Sequence, residues 1–122
     1  ASKVSEFLKN NKNVSKVIYP NYTDKNRKYF NKKLYGNLIG FHIDKGYEAC
    51  KTFIDKLKLF YHVANIGDVR SLAIHPSSTT HSQLSKENKE KAGVFDNYIR
   101  LSIGIEHIDD IIDDLEKALS SI

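Results

Sequence analysis

From Asn97 to Glu106 the chain reads NYIRLSIGIE, and its apolar residues take every second position. Successive side chains on a strand point to opposite faces, so Ile99, Leu101, Ile103 and Ile105 share one face while Arg100, Ser102 and Gly104 share the other. A strand patterned this way buries one side and leaves the other for different work. The next segment supplies the cover. Ile108, Ile111, Ile112, Leu115 and Leu119 recur at helical spacing, with Asp109, Asp110, Asp113 and Asp114 early and Lys117 late, the sense the helix macrodipole favours.

The rest of the chain repeats this interleaving. SKVSEFLKN puts Val4, Phe7 and Leu8 on one helical face, with Ser2 as the expected N-cap. VSKVIYP reads as a short strand stopped by Pro20. Asp24 is expected to cap a helix with Tyr29, Phe30 and Leu34 inward and Gly36 as its stop. LIGFHI, residues 38–43, is strand-like, and Gly40 within it permits close approach. Cys50, Phe53, Ile54 and Leu57 make one helical stripe. SLAIHP is a strand ended by Pro76, and Ser85 is expected to cap a short helix that Gly93 ends. With one apolar stripe expected on each helix, the pattern predicts an α+β, two-layer sandwich: a small, mainly antiparallel sheet with helices on one face. The other face displays Arg100 between small residues.

A length of 122 residues fits one domain with one modest core. No apolar run approaches the roughly 18 residues of a membrane span. The amphipathic N-terminus has no apolar signal region. The single cysteine, Cys50, forbids an internal disulfide and suits a reducing, cytoplasmic setting. On its stripe it reads as a small core residue. The net charge of +4 is uneven: residues 1–60 carry 13 Lys/Arg against 5 Asp/Glu, and residues 61–122 carry 6 against 10. A basic first half could meet nucleic acid, but no nucleic-acid motif accompanies it, and a solvated lysine-rich face is the plainer reading.

HPSSTTHSQLS, from His75 to Ser85, leaves three readings open: a metal loop, a nucleophile with its base, or a shaped turn. Zinc needs three or four ligands, and no further Cys or His stands nearby at metal-site spacing. There is no G-x-S-x-G elbow, dinucleotide fingerprint or phosphate loop. His42, His62 and His107 are individually uninformative. Arg100 differs in kind. A mid-strand guanidinium needs an anionic partner, either a structural acid or a bound carboxylate or phosphate.

NIGDVRSLAIHPSSTTHSQLS (65–85) and AGVFDNYIRLSIGIEHIDDIIDDLEKAL (92–119) resemble the end of the Cys/Met-metabolism family of pyridoxal-phosphate enzymes. NIGD, HPSSTTHSQL and GIEHIDDII are most similar to its O-acetylhomoserine sulfhydrylase branch, and VIYP and CKTFIDKLKLFYHVANIGD fit the same branch. The likeness covers nearly the whole chain, loosely over residues 20–37 and tightly from Gly46 onward.

The resemblance implies a large N-terminal domain holding pyridoxal phosphate and a smaller C-terminal domain like this one. Nothing here matches the family's cofactor lysine, pyridine-nitrogen aspartate, stacking tyrosine or phosphate motifs. Residues 1–122 are therefore expected to be the C-terminal, substrate-side domain alone, in keeping with a start at Ala1 and no methionine. They are expected to contain no catalytic, cofactor-binding or metal-binding residue of their own, and to be inactive in isolation. Arg100 matches the family's strand arginine in R-L-S-x-G-I-E, which binds the substrate α-carboxylate. Asn65 heads the counterpart of S-L-G-[GD] and reaches the same carboxylate, its Asn departing from the lyases' usual serine. Thr80 takes the loop threonine position, and His81 is expected to be a structural partner. The HPSSTTHSQLS hydroxyls are expected to satisfy backbone groups and help hold Arg100 and Asn65. The implied reaction, in methionine biosynthesis, joins O-acetylhomoserine with sulfide or a thiol and releases acetate. A cystathionine γ-synthase, γ-lyase or methionine γ-lyase is the alternative within the family. Implied partners are the large domain and further copies in a tetramer, with no membrane.

Overall fold

The computed structural model describes residues 1–20, 28–31 and 34–122. In chain order its elements are α1 (Ser2–Lys9), β1 (Val14–Ile18), β2 (Leu38–Ile43), α2 (Gly46–Lys56), β3 (Tyr61–His62), β4 (Leu72–Ile74), a 3-10 turn (Pro76–Ser78), α3 (Lys86–Lys91), β5 (Tyr98–Ser102) and α4 (Ile108–Ser120). The strands form one sheet in the order β1-β2-β5-β4-β3. Only the β3–β4 pair is parallel.

β5 is central, and its alternation sets the two layers. Ile99 and Leu101 lie opposite Phe41 and Ile39 of β2, and all four are buried against the helices. Val4 and Leu8 of α1, Cys50, Phe53 and Ile54 of α2, and Ile111, Leu115, Ala118 and Leu119 of α4 complete this core. Phe41 meets Phe53 edge-on at 5.6 Å. Removing a side chain of that size from water contributes about 1.5–3 kcal/mol. The expected two-layer arrangement is the one observed.

Several local expectations are corrected. Ser2 is the first helical residue of α1 rather than its cap, and its hydroxyl lies 3.3 Å from the Tyr19 hydroxyl. The strand expected to continue to Ile105 ends at Ser102, and Ile105 is 83% exposed. At Gly104 a Cβ would fall 2.4 Å from the Val69 carbonyl oxygen and 2.5 Å from the Arg70 carbonyl carbon. α3 buries no residue, so an apolar stripe is not common to all the helices; α3 is held instead by its Ser85 cap, which accepts the Asn88 N–H at 3.3 Å. Leu57 caps α2 in extended conformation, and Ile108 and Ile112 are half-buried. The helix expected from Asp24 falls largely outside the described residues. Of its inward set, Tyr29 and Leu34 are exposed and Phe30 is half-buried against Tyr35.

Candidate functional site

The register that buries Leu101 turns Arg100 to the opposite face of the sheet. Its cross-strand neighbours there are Gly40 of β2 and Ile74 of β4. Tyr98 lies opposite His42, with their rings 5.4 Å apart. Gly40 leaves room for the Tyr98 ring: a Cβ there would fall 2.5 Å from the Tyr98 hydroxyl and 2.7 Å from its ring edge. Lys16 and Ile18 of β1 pair with His42 and Gly40 and extend this face outward. The result is a cleft of about 360 Å³, walled by Pro76, Thr80 and His81 on one side and by Gly93–Phe95 on another.

Arg100 opens into this cleft, clear of the helix-packed core. Its Nη2 donates to the Asn65 backbone carbonyl at 3.2 Å. Among the described residues it makes no other hydrogen bond, and no carboxylate lies within ion-pair distance. None of the described residues lining the cleft is acidic. Burial pushes the Tyr98 phenol up, against the opposing pull of the Arg100 charge, so the ring beside Arg100 stays protonated at neutral pH.

Asn65 is brought to Arg100 through its main chain, in an exposed turn. That turn is fixed from below, where the Gly67 N–H donates to Ser102 Oγ at 3.2 Å. Farther along, the Glu106 carboxylate accepts the Ser71 N–H at 2.6 Å and the Ser71 hydroxyl at 2.8 Å, and Ser71 Oγ accepts the Gly104 N–H at 3.0 Å. Ser102 and Glu106 were not singled out from the sequence. Alternation had already placed Ser102 on the face of Arg100, but its partners depend on long-range register.

The His75–Ser85 segment is a shaped turn. His75 is buried, with Nε2 2.9 Å from the Asp96 carbonyl and Nδ1 3.0 Å from Ser78 Oγ. Its burial lowers the imidazole pKa and favours the neutral ring. A carbonyl only accepts, so Nε2 carries the proton and Nδ1 accepts. Thr79 Oγ1 donates to the His75 carbonyl at 2.9 Å, and Ser77 donates to the Asp96 carboxylate. Lys89 Nζ donates to the Ser77 carbonyl at 2.9 Å. Thr80 Oγ1 lies 2.8 Å from His81 Nδ1, and both line the cleft. One expectation changes: none of these loop hydroxyls touches Arg100 or Asn65, and the loop contributes by walling the cleft. His62 is exposed in β3, and His107 caps α4 by accepting the Asp109 N–H at 3.4 Å. Among the described residues no group of three or more His, Cys, Asp or Glu could hold a metal. Among the described residues no helix is long and apolar enough to cross a membrane.

The family model for Cys/Met metabolism PLP-dependent enzymes matches residues 1–120. The chain belongs to this family. It is 50% identical to the O-acetyl-L-homoserine sulfhydrylase of Leptospira meyeri, over 100% of this chain and 29% of that protein. It is 45% identical to O-acetyl-L-homoserine sulfhydrylase 1 of Thermus thermophilus, over 96% of this chain and 29% of that one. The L-methionine gamma-lyase of Fusobacterium nucleatum subsp. polymorphum is 40% identical, over 100% of this chain and 32% of the lyase. A crystal structure from Campylobacter jejuni, assigned as an O-acetylhomoserine (thiol)-lyase and carrying a pyridoxyl-lysine monophosphate, superposes with a TM-score of 0.90 at 44% identity. That superposition covers 98% of this chain and 30% of the other. The chain thus spans about 30% of the length of the Cys/Met-metabolism proteins it matches.

The family depends on pyridoxal phosphate, and the described residues do not fit as its holder. Every described lysine is exposed except Lys89, which is half-buried and spent on Ser77. No lysine stands in an enclosed site of the kind a Schiff base needs. What the described residues present is a guanidinium on a cleft wall to which they contribute no acid.

Proposed function

We propose that this chain is the substrate-side, C-terminal part of an O-acetylhomoserine sulfhydrylase, forming homocysteine or methionine from O-acetylhomoserine and sulfide or a thiol, with release of acetate. Arg100 grips the substrate α-carboxylate, with Asn65 and Thr80 at the same end of the site. The observation that carries this reading is Arg100 itself. A guanidinium has five N–H donors. Among the described residues only Nη2 is engaged, by a neutral carbonyl, and none of those lining the cleft is an acid in competition. A substrate carboxylate would complete the pairing in bidentate fashion.

Pyridoxal phosphate, when bound by the rest of the enzyme, supplies the electron sink for carbanion chemistry. The contribution of this chain is orientation. A carboxylate clamped on a rigid strand fixes rotation about the substrate α-carbon, so that the α C–H bond is held in one direction, and positioning of this kind lowers barriers by several kcal/mol. The Asn65 carbonyl keeps the guanidinium plane from rotating. Tyr98 and Ile74 line the same cleft.

The test is Arg100→Ala in the full-length enzyme. kcat/KM for O-acetylhomoserine is expected to fall about 30- to 1,000-fold, the equivalent of roughly 2–4 kcal/mol for a charged contact, with cofactor absorbance unchanged. Unchanged kinetics would remove Arg100 from the site. The second reading is a methionine γ-lyase, supported by the 40% identical relative. Homocysteine formed from O-acetylhomoserine plus sulfide supports the first reading. Turnover of methionine alone supports the second.

A further inference from the structure

Arg100 and Ser102 stand two positions apart on one face of β5, and both reach the same turn. Arg100 Nη2 donates to the Asn65 carbonyl, and the Gly67 N–H donates to Ser102 Oγ, each at 3.2 Å. Between those anchor points lies only Ile66, 52% exposed. Gly67 holds φ +76, a left-handed conformation that costs most other residues free energy. The turn, itself exposed and built on a glycine, is held at its two ends by these anchors.

Ser102 is itself fixed. It is 1% exposed, and Asn37 Nδ2 donates to its hydroxyl at 3.1 Å. Asn37 is locked in turn to the next residue: its carbonyl accepts the Ile103 N–H at 2.9 Å, and Nδ2 reaches the Ile103 carbonyl at 3.4 Å. A continuous chain of contacts runs from Asn37 to Ser102, to Gly67, to the Asn65 carbonyl, and ends on one arm of Arg100.

We propose that Ser102 is a positioning residue for the Arg100 guanidinium, acting through the Asn65–Gly67 turn. The inference rests on the reading of Arg100 as the carboxylate grip. A long flexible cation loses rotamer freedom when it binds, and restraint applied beforehand removes that loss from the binding step. Without the Ser102 hydroxyl, the Gly67 N–H has no described acceptor, the turn loosens, and the Asn65 carbonyl no longer holds the guanidinium. The effect falls on the substrate that carries the carboxylate. The sulfur nucleophile does not use that contact.

The experiment is a double-mutant cycle in the full-length, pyridoxal-phosphate-loaded enzyme: Ser102→Ala, Arg100→Ala and the pair. Ser102→Ala is expected to raise KM for O-acetylhomoserine about 5- to 30-fold and leave KM for sulfide within about twofold. In the Arg100→Ala background the same change is expected to add less than about twofold, because the residue it acts through is gone. An unchanged KM for O-acetylhomoserine, equal effects on both substrates, or the same penalty in both backgrounds overturns the proposal. If Ser102→Ala does not fold, Ser102→Cys keeps the side chain's shape while offering Gly67 only a weak acceptor. The same split and non-additivity are then expected, and wild-type KM values overturn the proposal. An impaired Arg100→Ala with a normal Ser102 variant sinks this inference alone. A normal Arg100→Ala sinks the carboxylate reading and this inference with it.

Discussion

The Asp114 carboxylate of α4 accepts the backbone N–H of Leu59 at 3.0 Å. It also takes the Lys58 N–H at 2.9 Å and that of Phe60 at 3.4 Å, and the residue is only 7% exposed. The segment between α2 and β3 is thus tied to the last helix by one side chain. Asp114→Ala strands these N–H groups and is expected to destabilise the fold by about 2–4 kcal/mol, with Asp114→Asn milder because one acceptor oxygen remains. Urea unfolding midpoints measure both; an unshifted midpoint for the alanine variant contradicts the tether.

Cys50 is fully buried on the α2 stripe, and burial, aided by the charge of Asp96, pushes its thiol pKa up to about 12. Nucleophilic attack needs the thiolate. The native protein is expected to resist a disulfide reagent at pH 8 and to release one equivalent of thiol in denaturant. Rapid labelling of the folded chain would show that the α2–sheet contact opens.

Glu106 couples stability to pH. Burial alone would push its carboxyl pKa up, but the Ser71 N–H and hydroxyl outweigh burial and bring it below the ordinary 4.5. A carboxyl with a depressed folded value binds fewer protons folded than unfolded. Its stabilisation is therefore complete above about pH 4.5 and is lost as pH falls through the folded value. Glu106→Gln is expected to be less stable than wild type at pH 7, with the difference shrinking in acid. A difference that stays constant from pH 7 to pH 3 would show that the Ser71 contact does not depend on the charge.

Gly40→Ala tests the shape of the cleft. The added methyl meets the far part of the Tyr98 ring, which borders open space and can swing away. The displaced ring changes the shape of the cleft that it shares with Arg100. Substrate affinity in the full-length enzyme is expected to drop by more than folding stability does, and Gly40→Ala combined with Tyr98→Ala is expected to recover part of it. Gly104→Ala behaves differently, since its Cβ meets the backbone of Val69 and Arg70, and a loss of about 1–3 kcal/mol is expected. Equal thermal shifts for the two alanine variants would contradict this distinction.

Much of this architecture was legible because β5 announces it. Alternation over Tyr98–Ser102 separated Leu101 from Arg100, and helical spacing identified Phe53 and Leu115 as core. The misread positions share one cause, which is that their fate depends on partners distant in sequence. Ile105 continues the period-two pattern, but the strand ends at Ser102, and Ile105 bonds the distant Val69 carbonyl through its N–H and leaves its side chain exposed. Asp114 reads as one of four helix acids, and nothing local says that its oxygens face Leu59. Arg100 was visible as an anomaly. That it would lack an acid among its neighbours followed only from the register that sets Gly40 and Ile74 on either side of it.

Because the described helices that carry the core, α1, α2 and α4, pack against one side of the sheet, β5 is a partition whose odd and even positions answer to different pressures. Selection for turnover can rework Tyr98 and Arg100 while Ile99 and Leu101 go on answering to foldability. A saturation library across these residues, scored once for yield and once for catalysis, should resolve into two interleaved combs offset by a single residue. A domain built this way can drift in what it recognises without first becoming fragile.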